Sequence, residues 1–438
     1  MRRTFLALVA VMLAGCDCGR ESNRGSDGGD KVDGGDASTP FSYFTLDPQA
    51  SARTVLSMAI GPNDRVGVAY FSSTDGGIPG ALDGGGGLIP NWDIRYVEWS
   101  AGNFSAPERI VTVQRVNGLS LAFQANGEPA VAYLGGGSDN STFWFQSDAV
   151  VSYRSGGTWT EQAVATMSNE AVCGNVVSDN GFLVGLNPGL TFSGATAFVA
   201  WRDAHTGQNA QDGWAGSDLE VAEGGPTTWN RICVMAGGDN KQGYGGHIHM
   251  IQAAGQPALV HDRFVASADG TGQDVIFVRR QSNGAWTSGQ VVQSVANTQS
   301  GASLGWDPVE GYSIAVIDRA TDLLTYTHSM DGQTWTLPTP VYQAGTGGWW
   351  PSLAFDPINH EPAIAYYVCS ARLGMNEESC TPAYDGLVVT QRIADIWREV
   401  LVDSEGGYLP KLGFLSSGRL AVAYRNLSDG TIRLAVER

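Results

Sequence analysis

The chain predicts an all-β fold: a seven-bladed β-propeller of four-stranded blades, closed by an N-terminal strand. A short pattern recurs seven times along it. Clear copies are Ser120-Leu121-Ala122-Phe123 with Pro129-Ala130-Val131-Ala132-Tyr133, and Ser352-Leu353-Ala354-Phe355 with Pro362-Ala363-Ile364-Ala365-Tyr366. The others centre on Met58, Phe198, Met250, Leu304 and Leu412. Aromatic and β-branched residues alternate with period two between Gly-rich turns, and no helical period is sustained. Most repeats also carry a tryptophan after a tight polar turn: Trp159, Trp229, Trp286, Trp335 and Trp397, with Phe104 in that place in the first. Recurring aromatics at one repeat position point to packing between blades.

The elements follow in order. Residues 1–15 read as a lipoprotein signal peptide. Arg2 and Arg3 precede an apolar run, Phe5 to Leu13, that is too short to span a bilayer. Leu13-Ala14-Gly15-Cys16 resembles the lipobox of bacterial lipoproteins, which implies cleavage before Cys16 and lipidation of that cysteine. Residues 16–40 are rich in Gly, Asp and Ser and nearly devoid of apolar side chains, so they read as a disordered tether. The expected address is the cell envelope, anchored by lipid to a bacterial membrane and facing periplasm or cell surface. Residues 41–438 form the propeller. The last repeat stops after its third strand, and the lone strand Phe41 to Leu46 is expected to supply its outer one.

A net charge of −18 with only three lysines, Lys31, Lys241 and Lys411, argues against nucleic acid as a partner. Six cysteines in an exported chain permit disulfides, and none has the spacing of a zinc–thiolate motif. Cys16 and Cys18 precede the propeller. The expected pairs are Cys173–Cys233 and Cys369–Cys380, although four cysteines allow three connectivities.

The turns before the tryptophans resemble the Asp-box of sialidase-type propellers. Ser329-Met330-Asp331-Gly332-Gln333-Thr334-Trp335 is the best copy. In that family the motif is structural, so the resemblance implies a fold rather than an activity. The Phe-Arg-Ile-Pro opening of sialidases is absent, and Arg53, Arg65 and Arg95 are arginine candidates by position alone.

Candidate chemistry gathers on the face bearing the long loops between second and third strands. Phe143, Trp144 and Trp214, with Trp349, Trp350 and His205, are candidate ligand-binding residues, since rigid rings beside polar groups suit a glycan or a protein ligand. Histidines cluster in the fourth blade. His249 aligns with Met58, Leu121, Leu304, Leu353 and Leu412, and His261 with Tyr70, Tyr133, Trp201, Val316, Tyr366 and Tyr424. His247, His249 and His261 are candidate ligands for a divalent metal. A histidine site on a seven-bladed ring resembles certain polysaccharide lyases. That resemblance implies a lyase on acidic polysaccharide, with His249 or His261 as base and Arg263 on the uronate carboxylate. The leading expectation is ligand binding without chemistry; the lyase is the alternative.

Overall fold

The computed structural model describes residues 40–48, 55–73, 78–79, 88–89, 92–136, 148–166, 172–173, 183–204, 216–237, 242–267, 270–295, 301–318, 323–342, 346–369, 386–404 and 406–438. The expectations on Cys16, Cys380, Phe143, Trp144, Trp214, His205 and Arg53 fall outside these residues. No helix among the described residues is long and apolar enough to cross a membrane.

Seven antiparallel sheets stand in a ring. Their inner strands are Leu56–Gly61, Leu119–Phe123, Leu183–Ser193, Gln242–Ala253, Ala302–Asp307, Thr346–Phe355 and Tyr408–Phe414. Each touches the inner strand of the next blade, and the last touches the first. The second strands are Arg65–Ser73, Pro129–Gly135, Thr196–Ala204, Gln256–Ser267, Gly311–Asp318, Pro362–Cys369 and Leu420–Arg425. They are buried on both faces, which explains why they read as near-continuous apolar runs. The third strands follow outward, and outer strands such as Thr158–Ala165 and Ile396–Asp403 are half polar.

The seventh blade lacks an outer strand of its own. Phe41–Asp47 fills it, antiparallel to Ile432–Glu437, with Phe41 opposite Glu437 and Thr45 opposite Arg433. Phe41 and Leu46 are buried there, and Tyr43 donates to Val402 O of the sixth blade at 2.6 Å. Closure therefore joins the chain's two ends through one sheet and leaves no broken edge in the ring.

The tryptophans mostly do pack blade against blade. Trp159 lies 5.5 Å from Tyr96, Trp335 5.1 Å from Phe277 and Trp397 5.4 Å from Tyr326, each ring edge-on to its neighbour in the preceding blade. Phe104 is the exception: it is 49 % exposed, on a two-residue strand that pairs only with Trp99 and Ser100, so it does not stand in for them. Arginines bridge the same seams. Arg154 spans Glu108 and Glu128 at 2.9 Å, and Arg280 holds Glu223 at 2.8 Å.

Deleting residues 41–47 removes two buried apolar anchors and a full ladder, a loss of about 3 kcal/mol from the apolar side chains alone. The truncated chain is expected to melt about 4 °C lower from that loss alone, and further with the lost ladder, or to lose cooperative unfolding. Calorimetry checks this; an unchanged melting temperature would contradict the closure.

Candidate functional site at the mouth of blades three and four

The inner strands have an unpaired edge that faces the central channel, and its N–H groups need acceptors. The preceding blade supplies them. Leu121 N donates to Ser57 Oγ, Leu190 N to Ser120 Oγ, Leu353 N to Ser303 Oγ and Leu412 N to Ser352 Oγ, each at 2.9 Å. In the fourth blade the acceptor is His249 Nδ1, 2.8 Å from Leu304 N. His249 thus occupies the serine position, and its neighbour Met250 takes the apolar one, opposite Leu259 as Leu121 is opposite Val131. The expected alignment of His249 with leucines was one residue out of register. Dihistidine spacing alone did not reveal the bulge that shifts it.

Because Nδ1 accepts a backbone N–H, the proton of a neutral His249 sits on Nε2. Burial, reinforced by the charge of Lys411, pushes its pKa down to about 3. His249 is therefore a structural acceptor held neutral, which argues against its use as a catalytic base.

Bulges shape the channel mouth. In blades three, four, six and seven the inner strand places two residues opposite one of the second strand. The pairs are Asn187-Pro188, His247-Ile248, Trp350-Pro351 and Leu409-Pro410; the residues opposite them are Trp201, His261, Tyr366 and Tyr424. The first member of each pair is left-handed, with φ of 50°, 42°, 50° and 53°. Pro lacks an N–H, so it suits the unpaired bulge position. Gly301 holds the equivalent place in the fifth blade at φ 72°, and a Cβ there would come within 2.6 Å of His247 Cβ.

The bulge separates the fourth-blade imidazoles. His247 turns toward the loop-bearing end, where Nδ1 lies 2.7 Å from Asp262 Oδ2. Its side chain is 34 % exposed, while that of Asp262 is fully buried. His261 lies beneath the bulge and is also fully buried, edge-on to Tyr244 at 6.1 Å. Its Nδ1 is 3.2 Å from Gly245 N and 3.0 Å from Asp262 O, and Nε2 has no hydrogen-bond partner among the described residues. Burial lowers its pKa to about 4, although the adjacent Asp262 opposes the shift.

Charge concentrates beside this pair. Directly after the aromatic column, blades three and four carry Arg202-Asp203 and Asp262-Arg263, where blades one, two, five and six carry Phe71, Leu134, Ile317 and Tyr367 and blade seven carries Arg425-Asn426. Arg202, Asp203, Asp218, Glu220 and Asp262 are all at most 4 % exposed. Gly245, at φ 82°, lets the fourth blade's inner strand close directly over Arg202. Buried ionisable groups are rare and gather at functional sites, so this cluster is the site candidate. Arg202 and Asp203 were not singled out from sequence; the signal was two charges directly after the aromatic Trp201.

Other candidates have different surroundings. Arg263 is engaged by Asp274, through Nε at 2.9 Å and a second contact from Nη2. Trp349 and Trp350 do not present open rings: they are 0 % and 8 % exposed and pack with Ile317, Tyr367 and Tyr408. Arg65 pairs with Glu98 and Arg95 with Asp47. Among the described residues the metal-capable cluster is Cys173, Asp218 and Glu220, not the three histidines. Cys173 is bonded to Cys233, so its sulfur is not a thiolate donor. That disulfide ties residue 173 to the third blade's outer strand, Thr228–Met235, as expected.

No family model matches the chain, and no curated protein is similar to it in sequence. Solved structures are similar in fold. The NanB sialidase of Streptococcus pneumoniae aligns at TM-score 0.46 and 12% identity, over 91% of this chain and 71% of that one. A leech intramolecular trans-sialidase aligns at 0.43 and 13%, over 90% and 68%. The Trypanosoma rangeli sialidase aligns at 0.42 and 12%, over 76% and 56%. At these identities no residue role transfers, and the class defined by the molecule itself is a seven-bladed propeller.

Two histidines held neutral, His261 buried and His249 half-buried, give a pH signature. Folded values near 4 for His261 and 3 for His249 lie below the ordinary histidine value, so the unfolded chain binds more protons over pH 4–6.5. Stability is then complete above about pH 6.5 and falls with acid through that window, by up to about 1.4 kcal/mol per pH unit for each histidine. Urea titrations across pH 4–7.5 should show this slope. His249→Ser, which restores the other blades' acceptor, should fold and reduce the slope by about one proton. His249→Leu leaves Leu304 N–H without its acceptor and should cost about 1–3 kcal/mol.

Proposed function

We propose that the chain is an exported lipoprotein, tethered to a bacterial membrane through Cys16, whose propeller binds a ligand at the loop-bearing mouth of blades three and four. The observation that carries the binding site is the His247–Asp262 pair, a half-exposed imidazole held at 2.7 Å by a fully buried carboxylate. The carboxylate orients the ring through Nδ1, and the His247 side chain as a whole is 34 % exposed. An oriented, amphipathic ring beside polar loops suits hydroxyl-rich or peptide ligands, and a glycan is the ligand class we favour over a protein. The lipobox-like Leu13-Ala14-Gly15-Cys16 and the Gly/Asp/Ser tether support the address.

A second reading is favoured by the same pair. With Asp262 accepting from Nδ1–H, Nε2 keeps its lone pair and His247 becomes the general base of an enzyme, such as a lyase on acidic polysaccharide. The base is then His247 rather than His249 or His261. Arg263 would have to exchange Asp274 for a substrate carboxylate.

A panel of neutral and uronate glycans tests both readings by calorimetry and product analysis. The expected result is a ligand whose affinity falls about tenfold or more in His247→Gln with an unchanged melting temperature, a loss of roughly 1.4 kcal/mol. Unsaturated sugar products that vanish in the same variant would establish the enzyme. Binding unaffected by His247→Gln would remove the site. Separately, Cys16→Ser should move the protein from the membrane to the soluble fraction with its melting curve intact. Continued flotation with lipid would refute the anchor.

A further inference from the structure

The rule that each blade's inner edge is capped by the blade before it has two exceptions, and one of them carries a charge. By register, Ser57, Ser120, Gly189, His249, Ser303, Ser352 and Lys411 are equivalent: each lies opposite Ala69, Ala132, Ala200, Val260, Ala315, Ala365 or Ala423. Gly189 has no side chain to offer Met250 N. Lys411 has one, but an ammonium only donates, so it cannot accept from Met58 N. Among the described residues no side chain accepts from either N–H.

Lys411 therefore stands at a point where two donors meet. In five of the other seams one donor meets one acceptor, and in the Gly189 seam the donor meets no side chain. No described carboxylate lies near enough to perturb it, and burial alone lowers its amine to about 8, which leaves it charged at neutral pH. Its charge is felt by His249, the ring's other titratable member, whose own remaining proton is on Nε2. The donors at this level of the channel are thus an ammonium, two uncapped edge N–H groups, an imidazole N–H and the hydroxyl protons of Ser57, Ser120, Ser303 and Ser352. The serines' hydroxyl oxygens already accept the neighbouring edge N–H groups. A half-buried cation without a described counter-charge is stabilised by whatever neutralises it.

We propose that the channel binds a small monovalent anion, halide or carboxylate, bridging the Lys411 ammonium and the Met58 N–H. The anion takes the part that serine oxygen takes in other seams, and it completes the inner ring. This site lies inside the ring of inner strands and is separate from the His247–Asp262 pair, so either proposal can fail without the other.

The chain's three lysines make the test direct. Reductive methylation of the full chain, read by peptide mass spectrometry, compares sodium chloride and sodium acetate with the bulky sodium gluconate at equal ionic strength. Occupancy at ten times the dissociation constant should slow Lys411 labelling about tenfold while Lys31 and Lys241 label as before. Protection by chloride alone assigns a halide, by acetate alone a carboxylate, and by both a general anion site. Equal labelling of Lys411 in all three salts would overturn the proposal. Lys411→Ser supplies the missing acceptor. Its melting temperature should not depend on the anion, whereas that of the wild type should rise with the protecting one. A variant that keeps the wild-type rise would also overturn it, and should the variant not fold, the labelling result decides.

Discussion

The fold rests on satisfying sheet edges. Each blade has an inner edge on the channel and an outer edge on solvent, and the ring itself must close. Leu–Ser hydrogen bonds of 2.9 Å repeat from blade to blade along the inner edge. They join neighbouring sheets at a level where apolar packing alone would let them slide. The closing strand Phe41–Asp47 does the same for the ring as a whole. Apolar clusters spanning adjacent blades supply most of the burial, but these directional bonds set the register in which they pack.

The fourth blade departs from that pattern in a connected way. His249 keeps the capping role with a larger, titratable acceptor. Its bulge carries Ile248 where the equivalent bulges of blades three, six and seven carry Pro. The left-handed His247 is turned onto Asp262 of the adjoining strand, while His261 replaces the aromatic beneath. Tyr70, Tyr133, Tyr366 and Tyr424 meet that position's polar demand by bonding carboxylates, Asp47, Glu161, Glu399 and Asp403. His261 bonds backbone instead and leaves Nε2 without a described partner. Strain, buried charge and a half-exposed imidazole coincide there, and such coincidence marks function more reliably than any one of them.

Blade three contributes to that place through Arg202 and Asp203, and the Cys173–Cys233 disulfide pins the chain beside them. The buried carboxylates Asp218 and Glu220 complete an acidic floor. Such a floor is tolerated because Arg202 is enclosed with it and because Asp218 accepts from Gly237 N at 2.5 Å.

Local sequence determined a great deal of this protein. The period-two runs, the Gly-rich turns and the repeat length specified strand order and blade number, because each depends only on neighbours along the chain; the closing strand, which pairs Phe41 with Glu437, was legible only because the last repeat is one strand short and a lone strand precedes the first. The displacement of an imidazole into an otherwise largely aromatic column was also legible, and it led to His261. Tertiary structure decided the rest. A bulge adds one residue to one strand without altering the alternation that sequence displays, so it alone separated His247 from His261 and moved His249 into the serine column. Whether Trp349 and Trp350 were open or buried depended on Tyr367 and Tyr408, the latter from another blade. The meaning of Lys411 emerged only when seven equivalent positions could be compared around one channel, since an ammonium is unusual there only because the others accept.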